Sequence, residues 1–145
     1  MVQVVRVHPP QTIRRSPDLP AAAGSNVGAM SKPLGPYTPV VRAGDFIVVS
    51  GQGGMADGVV VDGGVAAETT QTMKNVAAQL ATVGAELSDI VKTTCFLTDM
   101  ENFAAFNTAY AEALGDHRPA RSTVAVAGLP AGFLVEVEAW AYKPK

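Results

Sequence analysis

Few side chains in this sequence can do chemistry, and they fall in two short stretches near its end. Arg121 lies in Pro119-Ala120-Arg121-Ser122-Thr123, at the mouth of an expected strand. A guanidinium there could hold a carboxylate by two parallel hydrogen bonds, or could form an ordinary surface salt bridge. Glu136 and Glu138 alternate with Val135, Val137 and Ala139. At strand spacing both carboxylates leave the same face, beside Trp140 and Tyr142. Burial would raise a carboxyl pKa toward acid–base work near neutrality, whereas a solvated face would leave it a surface charge. Tyr37, after the rigid Leu34-Gly35-Pro36 turn, and Asn107, set between Phe106 and Tyr110, could each face a ligand or simply pack.

Several other chemistries lack their parts. The one cysteine, Cys95, cannot close an intrachain disulfide, and with only His8 and His117 the usual zinc ligand set is missing. Gly51-Gln52-Gly53-Gly54 follows a strand, but Asp57-Gly58 and a valine run come next, so no helix N-terminus opens to hold a pyrophosphate. The formal net charge of −2 and the absence of a lysine or arginine cluster from the region that looks folded argue against nucleic acid as a partner. Apolar residues make up 48% of the chain without a run long enough for a membrane span, so a folded, soluble protein is expected, and the single cysteine fits a reducing, cytoplasmic setting.

The 145 residues suit one domain. Residues 1–29 hold Arg6, Arg14 and Arg15 among Pro9, Pro10, Pro17 and Pro20, which break any amphipathic targeting helix. They are expected to be a disordered extension, with residues 30–145 forming the domain. Val40 to Arg42 and Phe46 to Ser50 read as a hairpin, followed by a glycine loop and a short Val59 to Val61 strand. Met73, Val76, Leu80 and Val83 make a helical stripe over 66–83, stopped by Gly84. Ile90 to Leu97 reads as a strand. A second helix carries Phe103, Phe106, Tyr110 and Leu114, with Thr98 and Glu101 at capping-box spacing and Gly115 at its end. Strands at 122–126 and 134–142 close an order of β-β-β-α-β-α-β-β, an α+β pattern with a mixed sheet and two helices on one face. The other face, taken to carry Val135, Val137, Ala139 and Ala141, then needs a cover, which self-association would supply.

Taken in order, Leu34-Gly35-Pro36-Tyr37, Val49-Ser50-Gly51-Gln52, Asp89 to Thr94, Pro119-Ala120-Arg121-Ser122 and Val135 to Ala139 resemble the reactive intermediate deaminase A family, also called RidA or YjgF-like. The resemblance covers Leu34 to Tyr142. It implies a chorismate-mutase-like α+β fold, a homotrimer, and active sites in the clefts between subunits. By the same resemblance Arg121 grips a substrate carboxylate and Glu138 acts on the attacking water. Tyr37, Ser50, Gly51 and Asn107 match cleft-lining positions, and Ser122 and Thr123 flank the arginine as substrate-binding positions. Thr123 departs from the cysteine that many members carry.

The activity implied is hydrolysis of 2-aminoacrylate, 2-iminopropanoate and 2-iminobutanoate to 2-keto acids and ammonia, without a cofactor. The alternative is a non-catalytic protein that binds small carboxylates in the same clefts. RNA binding or cleavage is disfavoured by the charge balance.

Overall fold

The structure, a computed structural model, describes residues 32–145. The expectations for residues 1–29 lie outside that range. The elements run β1 (Val40–Ala43), β2 (Phe46–Gly53), β3 (Met55–Ala56), β4 (Val59–Val60), α1 (Gly64–Ala81), β5 (Ile90–Leu97), α2 (Phe103–Leu114), β6 (Ala120–Ala125) and β7 (Val135–Tyr142). The main sheet has strand order β1-β2-β7-β5-β6. It is antiparallel except for the β5–β6 pair, which α2 connects. The mixed α+β architecture expected from the sequence is therefore present.

Both helices pack on one face of the sheet. Their apolar stripes, Met73, Val76 and Leu80 from α1 and Phe106 and Leu114 from α2, share one buried cluster with Ile47, Val49, Cys95 and Leu97. Gly84 ends the first helical region at a φ of 76°, and the Ala85 N–H closes back on the Leu80 carbonyl, as a left-handed stop requires.

Three local expectations are corrected. The Gly51 to Gly53 segment is strand, because β2 continues through a bulge between Val49 and Gln52. Asn75 of α1 holds the far end by donating to the carbonyls of Gly53 and Met55 at 2.8 and 2.9 Å. The Val59 strand pairs with an unforeseen partner, Met55–Ala56, in a separate two-stranded ribbon. Asp57 and Gly58 turn it with positive φ at both positions. Thr98 does not cap the second helix; Asp99 accepts from the Glu101 N–H and starts a 3-10 turn over Met100–Asn102 that leads into α2.

The largest correction concerns which sheet face lies open. Val135, Val137, Ala139 and Ala141 are fully buried beneath the helices. The uncovered face carries the alternate set, Glu136, Glu138, Trp140 and Tyr142. Phe46 meets Trp140 and Tyr142 there edge to face, at centroid distances of 6.4 and 5.2 Å. All three rings are nearly half exposed. A period of two separates a strand's faces but does not say which one the helices take. The helices took the slim aliphatic set, leaving aromatic rings and carboxylates outward.

Candidate active site

Parallel pairing decides where Arg121 goes. It stands opposite Thr93, which is fully buried, so the arginine side chain leaves β6 on the helix side. Its guanidinium lies over Phe103, Phe106 and Tyr110, 5.6, 5.5 and 5.0 Å from the ring centroids. Stacking on aromatic faces holds a cation without consuming its N–H groups. Among the described residues the ion pair present is Lys143–Asp89, and Arg121 has no carboxylate partner. Tyr110 is fixed in turn by a 2.7 Å hydrogen bond with the Thr93 hydroxyl.

Asn107, Tyr110, Arg118 and Arg121 line a cleft of about 250 Å³ between α2 and the start of β6. The Asn107 Oδ1 is buried without a hydrogen-bond partner, as is Thr123 Oγ1, which sits on the same sheet face as Arg121. Buried orphan polar atoms are costly, and a site awaiting a polar ligand is one reason to keep them. Nearby Cys95 is an inert thiol, because burial pushes it up to about 11.

A second cleft, of about 410 Å³, opens on the other side of the sheet, lined by Leu34, Tyr37, Ser50, Gly51, Phe133 and Glu136 among others. The bulge in β2 re-aims Ser50 and Gly51 toward it. Tyr37 is anchored through its hydroxyl, which accepts from the Leu34 N–H at 3.2 Å, while Ser50 Oγ donates to the Thr38 carbonyl at 2.7 Å. Phe133 is kept in place by its neighbour Leu134, whose N–H donates to the buried Glu68 carboxylate at 2.8 Å.

Glu136 rests directly on Gly51, where any Cβ would overlap its carboxylate. Partial burial raises the Glu136 pKa above its ordinary 4.5, and the neighbouring charge of Glu138 adds to the rise. Gly51→Ala should therefore displace Glu136 into water and bring its pKa back toward the ordinary value. A carboxyl NMR titration of the variant beside the parent checks this, and an unchanged pKa would mean that Gly51 does not seat the carboxylate.

The eight site residues that the family resemblance implies are thus divided. Arg121, Asn107 and Thr123 lie on the helix side; Tyr37, Ser50 and Gly51 belong to the opposite cleft. Glu138 shares the open face with Glu136 but stands opposite Thr94 and lines neither cleft. Ser122 also faces outward, where its hydroxyl accepts from Lys92 Nζ at 2.7 Å. One chain does not bring Arg121 and either glutamate together. Among the described residues no group of three or more His, Cys, Asp or Glu side chains is placed to hold a metal. No helix there is long and apolar enough to cross a membrane.

This fold, a helix-backed mixed sheet, is that of a known family. The model of the Endoribonuclease L-PSP family matches residues 28–143, and the chain belongs to that YjgF/RidA family. A RutC family protein of Pyrococcus horikoshii is 41% identical over 77% of this chain and 90% of its own length. Human 2-iminobutanoate/2-iminopropanoate deaminase is 39% identical over 73% of this chain and 79% of its own. The crystal structure of the Escherichia coli YjgF product superposes with a TM-score of 0.72 at 39% identity, over 75% of this chain and 89% of that one.

Proposed function

We propose that the protein is a hydrolytic deaminase of 2-imino acids, acting on 2-aminoacrylate, 2-iminopropanoate and 2-iminobutanoate at clefts completed between copies in a homotrimer. The observation that carries this reading is the unpaired Arg121 guanidinium, held over three aromatic rings beside the orphan Asn107 oxygen. It presents a fork of N–H donors to a carboxylate. The name of the human relative supplies the class of reaction. A phosphodiester substrate, as the family description suggests, would ask for more positive charge than a chain of net charge −2 supplies.

In the proposed reaction Arg121 binds the substrate carboxylate and Asn107 Oδ1 accepts the imine N–H. Glu136 of a neighbouring copy takes a proton from water as its oxygen attacks the carbon of the protonated imine, and the C=N electron pair moves to nitrogen, giving a neutral carbinolamine. Glu136 hands that proton to the amine and then takes the carbinol O–H proton as the C–N bond breaks, so that ammonia leaves, the carbonyl forms and the proton on Glu136 returns to solvent. Every group used is an ordinary side chain, so the step calls for no cofactor. The role is given to Glu136 in place of Glu138 because it lies in the cleft with Tyr37 and Gly51.

Association brings the two halves together. The exposed Phe46, Trp140 and Tyr142 cluster gives copies a surface worth burying. The test is mixing. Arg121→Ala and Glu136→Gln, each inactive alone, should regain activity when unfolded together and reassembled. In a closed ring roughly a quarter of the sites would then pair an intact arginine with an intact glutamate. No recovery, with trimers verified by mass, would sink the shared-site reading. Ammonia release from imines made in situ by an amino-acid oxidase serves as the assay, and wild-type protein that fails to accelerate it would favour a carboxylate-binding protein instead.

A further inference from the structure

The glycine run at the end of β2 carries more than its contact with Glu136. A Cβ at Gly53 would overlap the Phe133 ring, and a Cβ at Gly54 would overlap the backbone and stem of Glu68. One short stretch of chain, pinned by Asn75 at the carbonyls of Gly53 and Met55, thus seats three side chains next to one another. Two of them, Glu136 and Phe133, line the same cleft. The third, Glu68, has no part in the proposed reaction.

Glu68 lies in the first half of α1 and is only 4% exposed, and among the described residues it forms no ion pair. Burying a carboxylate is costly, and its Oε2 is committed to the Leu134 N–H. That bond fixes the end of a strained segment, for Ala131, two residues before Phe133, has a φ of 55°. Strain of this kind persists only where surrounding contacts hold it. We propose that Glu68 is a positioning residue: by holding Leu134 it keeps Phe133 on Gly53 as a wall of the cleft, so that the neighbouring Glu136 stays shielded from water. Glu68 and Phe133 are both buried within a single chain, so this support stands before any copy associates. The consequence for turnover rests on the deaminase reading; the shielding does not.

Carboxyl NMR of the full-length assembled protein follows Glu136, its signal assigned by its loss in Glu136→Gln. Two substitutions separate the bond from the charge. Glu68→Asp keeps the charge but is one methylene short of Leu134, whereas Glu68→Gln loses the charge and keeps an oxygen that can accept. The other titratable groups facing Glu136, Glu138 on its own strand and Tyr37 in the cleft, are untouched by either. Glu68→Asp should move the Glu136 titration toward its ordinary 4.5 and lower kcat about tenfold to a hundredfold, with KM little changed because Arg121 lies on the far side of the sheet. Glu68→Gln should keep both near the parent. A merely structural Glu68 would lower the melting temperature of Glu68→Asp and leave the titration and kcat of the folded protein unmoved, which overturns the proposal. So does a shift in Glu68→Gln as large as that in Glu68→Asp, which would assign the effect to charge. Should Glu68→Asp fail to assemble, Phe133→Leu trims the wall and leaves the Glu68 bond intact, and an unmoved Glu136 there overturns the proposal as well. A titration that moves as expected in a protein whose wild type hydrolyses no imine would sink the deaminase reading alone.

Discussion

Glu136→Gln is expected to lower kcat for imine hydrolysis by about two to four orders of magnitude, the usual contribution of a general acid–base group. The same change should raise the melting temperature at neutral pH. The two effects have one cause. Partial burial and the charge of Glu138 lift the Glu136 pKa above 4.5 in the folded chain. Between that ordinary value and the raised one, the folded chain keeps a proton that the unfolded chain has released. Stability from this group therefore falls as pH climbs through the window, and above it the ionised carboxylate is a standing cost. Glutamine removes that cost and loses the base, the exchange of stability for activity common at functional sites. In the wild type, kcat/KM should rise with pH through the raised pKa, and Glu136→Gln should lose this limb. Glu138→Gln should keep the limb and move it to lower pH, because one source of the upward shift is gone. If Glu138→Gln instead erases turnover and Glu136→Gln spares it, the catalytic carboxylate is Glu138, as the family resemblance was read from the sequence.

That pair of glutamates marks where sequence legibility ends. Helix stripes are strong signals because three- and four-residue spacings admit one buried face, and both helices lie where Met73-Val76-Leu80 and Phe106-Tyr110-Leu114 place them. In β7 the alternation is equally plain but symmetric: Glu136 and Glu138 are two residues apart and indistinguishable by spacing. What separates them is the packing of β2 against β7: Gly51, inside the β2 bulge, lies directly beneath Glu136, which lines the cleft with Tyr37, while Glu138 lines neither cleft. Bulges arise from pairing between distant strands, so a glycine run reads locally as a loop. The same symmetry explains the inverted sheet faces. Arg121 was legible as a residue, but its side of the sheet came only from its register with Thr93. Glu68 was passed over because a lone glutamate near the start of a helix reads as part of its solvated face; its burial comes from the fit of α1 onto Gly54.

Arg121→Ala should cost imine hydrolysis about a hundredfold to a thousandfold in kcat/KM, because a bidentate charge-assisted pair contributes roughly 3–4 kcal/mol through two hydrogen bonds of about 1.5–2 each. The loss should fall on KM and kcat together, since the fork both captures the carboxylate and aligns the imine carbon for attack. Three rings surround the guanidinium, and removing it leaves Phe103, Phe106 and Tyr110 facing a void. A melting curve must therefore accompany the kinetics, and Arg121→Lys separates the two causes. Lysine keeps the cation over the rings but offers a point charge in place of a planar fork. It should retain the fold and regain only part of the lost activity. Full activity in Arg121→Lys would mean that charge alone suffices, and the two-bond grip would have to be abandoned. Full activity in a folded, assembled Arg121→Ala would move the substrate carboxylate elsewhere, with the guanidinium of Arg118 an alternative donor in the same cleft.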